Sequence, residues 1–217
     1  MTETAIIFDC EFLCLRESPR RFWCAPVDPD PVIAQIGAVK LSLTGDFAII
    51  DRFRVHVQPI DRYGKAYEVS EFFTWLTGIT AQTLADQGTS LSDALAQLDR
   101  FADGAQMWSW GKDELNMMAI SCYIAGVAPP IPAHRFDNAC KLFLQAGMPE
   151  EDVAKTRSDK ISEYFGLTHP PLRGHDALDD ALSVAYALQH VLKQGKLTLR
   201  HFAPATESFR MEMVNAG

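Results

Sequence analysis

Three opening strands in a meander, then strands that alternate with helices, predict an α/β protein with a mixed, five-stranded sheet. The first observation behind this is a set of apolar runs. Residues 5–10, 32–43 ("VIAQIGAVKLSL") and 48–59 ("AIIDRFRVHVQP") read as strands, with "TGD" at 44–46 as a hairpin signal between the last two. In the third run Phe53, Val55 and Val57 face one way and Arg52, Arg54 and His56 the other, the period of a half-buried strand. The second observation is helical periodicity farther along. The third is that nothing divides the chain: its 217 residues are 47% hydrophobic and 22% charged, without a Gly/Ser linker or repeat, which favours one domain.

The later elements follow in order. In "SLSDALAQLDRFAD" (90–103) Leu91, Ala94, Leu95, Leu98 and Phe101 form one helical stripe, with Ser90 or Ser92 as cap. "AQMWSW" (105–110) reads as the fourth strand, and 112–126 as a helix closed by Gly126. Residues 134–147 suggest a fifth, short strand running into a helix, and 158–167 another helix. The clearest helix is 176–195, ending at Gly195. The expected domain spans 1–200, with residues 201–217 as a C-terminal tail.

Composition removes several classes of function. A net charge of −8 argues against a protein that coats nucleic acid non-specifically, though not against a site that grips a few phosphates. No run of about 18 apolar residues is available to span a membrane. The start "MTETAIIFD" lacks a basic stretch followed by a long apolar one, so a cytoplasmic location is expected. The five cysteines (10, 14, 24, 122 and 140) are odd in number and form no CxxC pair, which reads as reduced thiols and not as a zinc site.

The informative residues are acids. "IIFDCEF" (6–12) ends an apolar strand with Asp9 and Glu11, two positions apart and so on one face. Two carboxylates this close repel unless a cation lies between them or one takes a proton. Asp113 follows the strand "MWSWG" and opens a helix. In "GHDALDDAL" the apolar stripe Ala177, Ala181, Val184, Leu188 and Val191 puts Asp180 toward the protein body. The same wheel puts Asp179 on the wet side with Ser183 and His190, and Asp176 at the cap. His175 lies about one turn before Asp180. Each residue alone has a plainer reading: Glu11 solvated beyond the strand, Asp113 meeting the helix dipole, His175 at the surface. Taken together, Asp9, Glu11, Asp113 and Asp180 with His175 suggest a site whose charge two divalent ions would balance, Mg²⁺ or Mn²⁺ given all-oxygen ligands.

These motifs resemble the 3′–5′ exonucleases with a DEDD signature and a histidine, which have a ribonuclease H-like fold. "FDCE" resembles the first motif, F-D-x-E, and "HDALDD" the third, H-x-A-x-x-D, with His175 and Asp180 in place. "WSWGKDELNMM" is similar to the second motif of the RNA-processing and sporulation-inhibitor-type branch, as are "IAQIGAV" (33–39) and "FFTWLTGIT" (72–80). The likeness runs from about residue 5 to 193. Residues 14–31 are longer than the usual link between the first two strands.

The resemblance implies two-metal hydrolysis of the terminal phosphodiester of a single-stranded nucleic acid, with 5′-monophosphates as products. Asp9 would bridge the ions, Glu11 and Asp180 hold one, Asp113 hold the other, and His175 act as base. It also implies that Phe12 and Leu76, with Thr77 as polar neighbour, contact the terminal bases. Phe72, Phe73 and Trp75 read either as further base contacts or as core. Arg16, Arg20 and Arg21 in the long link would either line the substrate groove or belong to a solvated loop.

RNA is favoured as substrate over DNA because of the Trp110-Gly111 form of the second motif. A DNA-proofreading exonuclease shares every catalytic residue and is the alternative. A non-catalytic binding module would usually have lost an acid, and an HD phosphohydrolase would need further histidines upstream. Related exonucleases include monomers and dimers, so a homodimer is admitted.

Overall fold

The computed structural model describes residues 3–23 and 25–203. Its strands are β1 (Thr4–Phe12), β2 (Ile33–Ser42), β3 (Ile49–Val57), β4 (Gly88–Thr89), β5 (Gln106–Ser109) and β6 (Phe136–Asn138). Its helices are α1 (Glu71–Thr77), α2 (Ala81–Gln87), α3 (Leu91–Ala102), α4 (Asp113–Ala125), α5 (Cys140–Gln145), α6 (Glu150–Lys155), α7 (Ile161–Tyr164) and α8 (Ala177–Lys193).

The sheet order is β4-β3-β2-β1-β5-β6. The first three strands form the expected antiparallel meander, and β5 and β6 add in parallel beside β1. The mixed α/β architecture is as the sequence predicts, with six strands instead of five. The extra one is the two-residue β4, too short to leave an alternation pattern, which pairs in parallel with the end of β3.

The sheet is packed on both faces. On one, Ile6, Phe8 and Cys10 meet Leu95 and Leu98 of α3 and Met118 and Cys122 of α4. On the other, Ala5, Ile7, Val39 and Leu41 meet Ala181, Val184, Leu188 and Val191 of α8. Strand alternation explains the division. The helical stripes of α3 and α8 are the predicted ones. Ser90 caps α3, accepting from the Asp93 N–H, and Asp176 caps α8, accepting from Leu178 and Asp179.

Two local expectations change. Ser183 is not on a wet face: it is buried, and its hydroxyl donates to Ser162 Oγ at 3.0 Å, because α7 and the turn before it cover this side of α8. The helix expected over 158–167 is a 3₁₀ turn, Ser158–Lys160, followed by the single turn of α7. The short helices α1, α2 and α6 lack the length that makes an amphipathic period visible. Serine and glycine set α1, Ser70 capping its start and Gly78 closing it at φ 73°.

Beyond α8, Leu199–Phe202 forms a 3₁₀ turn, and Phe202 packs edge-on to Trp108 with ring centroids 5.5 Å apart. The expected tail, 201–217, otherwise lies outside the described residues, as does Cys24. The four described cysteines are free thiols. No helix among the described residues is long and apolar enough to cross a membrane.

Candidate active site

Strand parity carries Asp9 and Glu11 to one place. They continue the Ala5–Ile7 side of β1, the side that α8 covers. Both are buried at the C-terminal end of the strand, where parallel strands open ligand sites. Asp9 sits opposite Gly37 of β2. A side chain at Gly37 is sterically impossible without movement, since a Cβ there would lie 2.1 Å from Leu178 N. The first turn of α8 therefore rests directly on β2. Gln35 fixes it further, its Oε1 accepting the Ala177 N–H at 2.8 Å.

This seat aims Asp180 and His175 at the acids of β1. One ligand atom each from Glu11, His175 and Asp180 lie within 4.8 Å of one another. His175 adopts φ 60°, a left-handed conformation unusual outside glycine. Its backbone N–H donates to Asp180 Oδ2 at 3.3 Å, which ties the loop to the acid. Asp9, Glu11, His175 and Asp180 line one cavity of about 190 Å³ with Phe12, Cys14, Leu76, Arg157 and Asp159.

Asp113 is not brought into this cluster. It is exposed at the first position of α4, where it has the plainer helix-start role. Its neighbour Glu114 turns inward and is buried. One residue along a helix rotates a side chain by about 100°, which separates the two acids. The charges that act on Asp9, after burial itself, come from Glu114, Asp180, Glu11 and Asp159. Of the two adjacent acids at the start of α4, it is Glu114 whose charge reaches Asp9.

The electrostatics are those of crowded, buried acids. Burial and neighbouring acids push Asp9 and Glu11 well above the usual carboxylate range. Burial lifts Asp180 to about 8, with help from Asp159, and lifts Glu114 to about 7. Burial and then Arg157 hold the His175 imidazole below its ordinary value, so the ring is neutral and able to accept a proton near pH 7. Asp180 Oδ1 and Glu114 Oε2 are enclosed and have no hydrogen-bond partner among the described residues. Orphaned buried carboxylate oxygens are costly, and a divalent cation is the partner that fits an all-oxygen set.

Sequence reading also missed Arg157 and Asp159. Asp159 accepts from Arg157 Nε at 2.9 Å and from Nη2 at 2.7 Å. Gly174 makes room for Asp159, whose Oδ2 would lie 2.9 Å from a Cβ there. Nothing in the local pattern "TRSDK" distinguishes this pair from surface charge. Asp179 is likewise more than a solvated charge, accepting the Arg173 N–H at 2.8 Å and lying 3.8 Å from Arg54 Nη2.

Of the expected base contacts, Phe12 and Leu76 line the cavity. Thr77 does not. It is 2% exposed, and its hydroxyl is spent within the turn, donating to Phe73 O at 2.9 Å and accepting from Ile79 N at 3.0 Å. Phe73 is core, Phe72 is half-buried and Trp75 is exposed. The long link 14–31 reaches the site through Pro19 and Trp23, and Trp23 meets Phe12 edge-on at 5.7 Å.

The link is organised by Asp28. Its carboxylate accepts from Ser18 Oγ (2.7 Å), Arg21 Nε and Nη2 (3.1 and 2.7 Å) and Ala25 N (3.1 Å). These bonds, the Arg21 bond first, hold Asp28 down to about 2. In the same link Glu17, Phe22 and Trp23 adopt left-handed conformations. Arg21 is therefore committed to the loop and does not line the groove.

The exonuclease family model matches residues 6–113, just under half of the chain, from within β1 to the first residue of α4. Solved structures repeat the fold. A full-length 3′-exonuclease matches with a TM-score of 0.70 at 20% identity, covering 89% of this chain and 61% of that one. Cell-death related nuclease 4 (CRN-4) matches with a TM-score of 0.66 at 20% identity, covering 90% of this chain and 66% of that one. E. coli exonuclease I in complex with a dA16 oligonucleotide matches with a TM-score of 0.56 at 15% identity, covering 89% and 43%. The chain thus spans about three fifths of the first of these proteins. No curated protein matches it in sequence. Residues 6–113 thus match the exonuclease family model, and the chain shares the ribonuclease H-like fold of these 3′-exonucleases, in line with the DEDD-type resemblance.

Proposed function

We propose that this chain is a metal-dependent 3′–5′ exonuclease that removes nucleoside 5′-monophosphates from the 3′ end of single-stranded nucleic acid. The observation that carries the reading is one cavity in which Asp9, Glu11, Asp180 and His175 converge, with enclosed, unpartnered oxygens on Asp180 and the nearby Glu114. Asp9, Glu11, Glu114 and Asp180 would hold two Mg²⁺ or Mn²⁺ ions, a set of oxygen donors that suits these cations. Bound there, the ions would acidify the attacking water and offset charge on the scissile phosphate. His175, neutral at working pH, would take the water's proton on a ring nitrogen. Asp180 holds the backbone of His175 in place for this. Arg157, with Asp159 gripping one edge of its guanidinium, would meet the phosphate with its remaining N–H groups.

Phe12 and Leu76 supply apolar faces for the terminal base, which any base can occupy. A solved relative by fold is described as recognising a histone mRNA stem-loop at its 3′ end, and another holds a DNA oligonucleotide. RNA is our preferred substrate because of the Trp110-Gly111 form of the second motif. The test is direct. Matched 5′-labelled RNA and DNA strands, single and paired, are incubated with Mg²⁺ or Mn²⁺. A ladder shortening from the 3′ end, faster on single-stranded RNA, is expected. Intact strands with either metal would overturn the proposal.

A further inference from the structure

Beside the metal cavity lies a second depression of about 350 Å³, walled by segment 15–20 and one side of α1. The two share Cys14, Pro19 and Leu76 in their walls, so one opens beside the other. Its remaining walls include Arg16, Arg20, Phe72 and Trp75. This is an unusual set for the surface of a chain with net charge −8.

The aromatic side is prepared for flat ligands. Trp75 is 71% exposed, and the Phe72 and Trp75 rings lie 5.8 Å apart at 33°. The Arg16 guanidinium lies 5.1 Å from the Phe72 centroid and 5.9 Å from that of Trp75. Arg16 is also anchored from behind, since Arg21 Nη2 donates to its carbonyl at 3.0 Å. Arg20 pairs with Glu17 at 2.7 Å, both ends exposed. Such a pair is weak, and a phosphate can replace the carboxylate. Stacking faces beside arginines match the chemistry of a single strand bound without regard to sequence.

We propose that this depression is the track for the nucleotides upstream of the scissile bond, their bases on Trp75 and Phe72 and their phosphates on Arg16 and Arg20. The inference rests on the exonuclease reading above and adds the path of the strand to it. The long link then has a purpose: it supplies the arginine wall. Duplex is disfavoured on this track because its bases are not free to stack on Trp75.

The experiment compares two substrates. Thymidine 5′-(p-nitrophenyl phosphate) occupies the cleavage site alone, and a 12-nucleotide single strand also fills the track. For Trp75→Ala, KM on the 12-mer should rise about tenfold relative to the ester, the effect of losing one stacked base, with Trp75→Phe restoring most of it. For Arg16→Ala/Arg20→Ala, the salt dependence of KM on the 12-mer should flatten by about 1.4 in log–log slope, two phosphate contacts on a single strand. Equal KM ratios and salt slopes in parent and variants would overturn the track. A parent protein inert on both substrates would count against the exonuclease reading instead. The track is then read from anisotropy of a labelled 12-mer, where affinity must fall in both variants and an unchanged affinity overturns it.

Discussion

Gln35 Oε1 accepts the backbone N–H of Ala177 at 2.8 Å, joining the second strand to the first turn of the last long helix. Two residues along, Gly37 brings that helix against the strand backbone, directly across from Asp9. Asp180 and His175 thus inherit their positions from β2, which itself contributes no acid. The segment "IAQIGAV" is accounted for by this seat: an amide that satisfies a helix N-terminus, then a residue with no side chain.

Gly37→Ala is expected to destabilise the protein, because the nearest atoms are backbone and cannot swing aside. Overpacking of this kind costs about 1–3 kcal/mol, a fall in Tm of about 2–12 °C for a chain of this size. Activity should fall further than stability, as α8 moves away from Asp9. Calorimetry and turnover on one preparation check both.

Asp9→Asn, Asp180→Asn and Glu114→Gln should each lower turnover by about a thousandfold, equivalent to about 4 kcal/mol of transition-state stabilisation, with the fold intact by circular dichroism. Asp113→Asn should retain most activity, since Asp113 is exposed. The contrast between positions 113 and 114, measured with excess Mg²⁺, is the sharpest check on the assignment.

Mg²⁺ or Mn²⁺ should raise the melting temperature. At a hundred times Kd the stabilisation is about 2.7 kcal/mol, or about 5–11 °C here. Asp180→Asn should blunt the shift. A metal titration followed by thermal unfolding measures it without any substrate.

Without metal, stability should decline as pH rises toward 8. Asp180 is lifted to about 8 and Glu114 to about 7, each above its unfolded value, so the folded state holds more protons than the unfolded one in between. That contribution is fully present below about pH 4. It is lost as pH climbs through the folded values, and saturating Mg²⁺ should reverse the loss at pH 8. Denaturant midpoints at pH 6 and 8, with and without metal, decide it.

The meander, the helix ending at Gly195 and the convergence of Asp9, Glu11, His175 and Asp180 were legible because each rests on a period, 2.0 or 3.6, that survives in sequence. Which of Asp113 and Glu114 turns inward was not, since adjacent acids at a helix start differ only in which way the first turn is rotated; Met117 and Met118, three and four residues on, are buried with Glu114. Thr77 reads as the polar neighbour of the base contacts, yet turns consume their own hydroxyls. Arg157 and Asp159 stayed hidden because a charged pair two residues apart looks the same on a loop as in a cleft. Asp28 is similar: its role appears only once Ser18, Arg21 and Ala25 are seen gathered on it.

The halves of the candidate site are written near opposite ends of the described chain and meet only when the final long helix docks. During vectorial synthesis, an emerging polypeptide therefore carries Asp9 and Glu11 long before Asp180 exists to complete them. A shorter translation product therefore holds only part of the candidate site, and the last part arrives with α8.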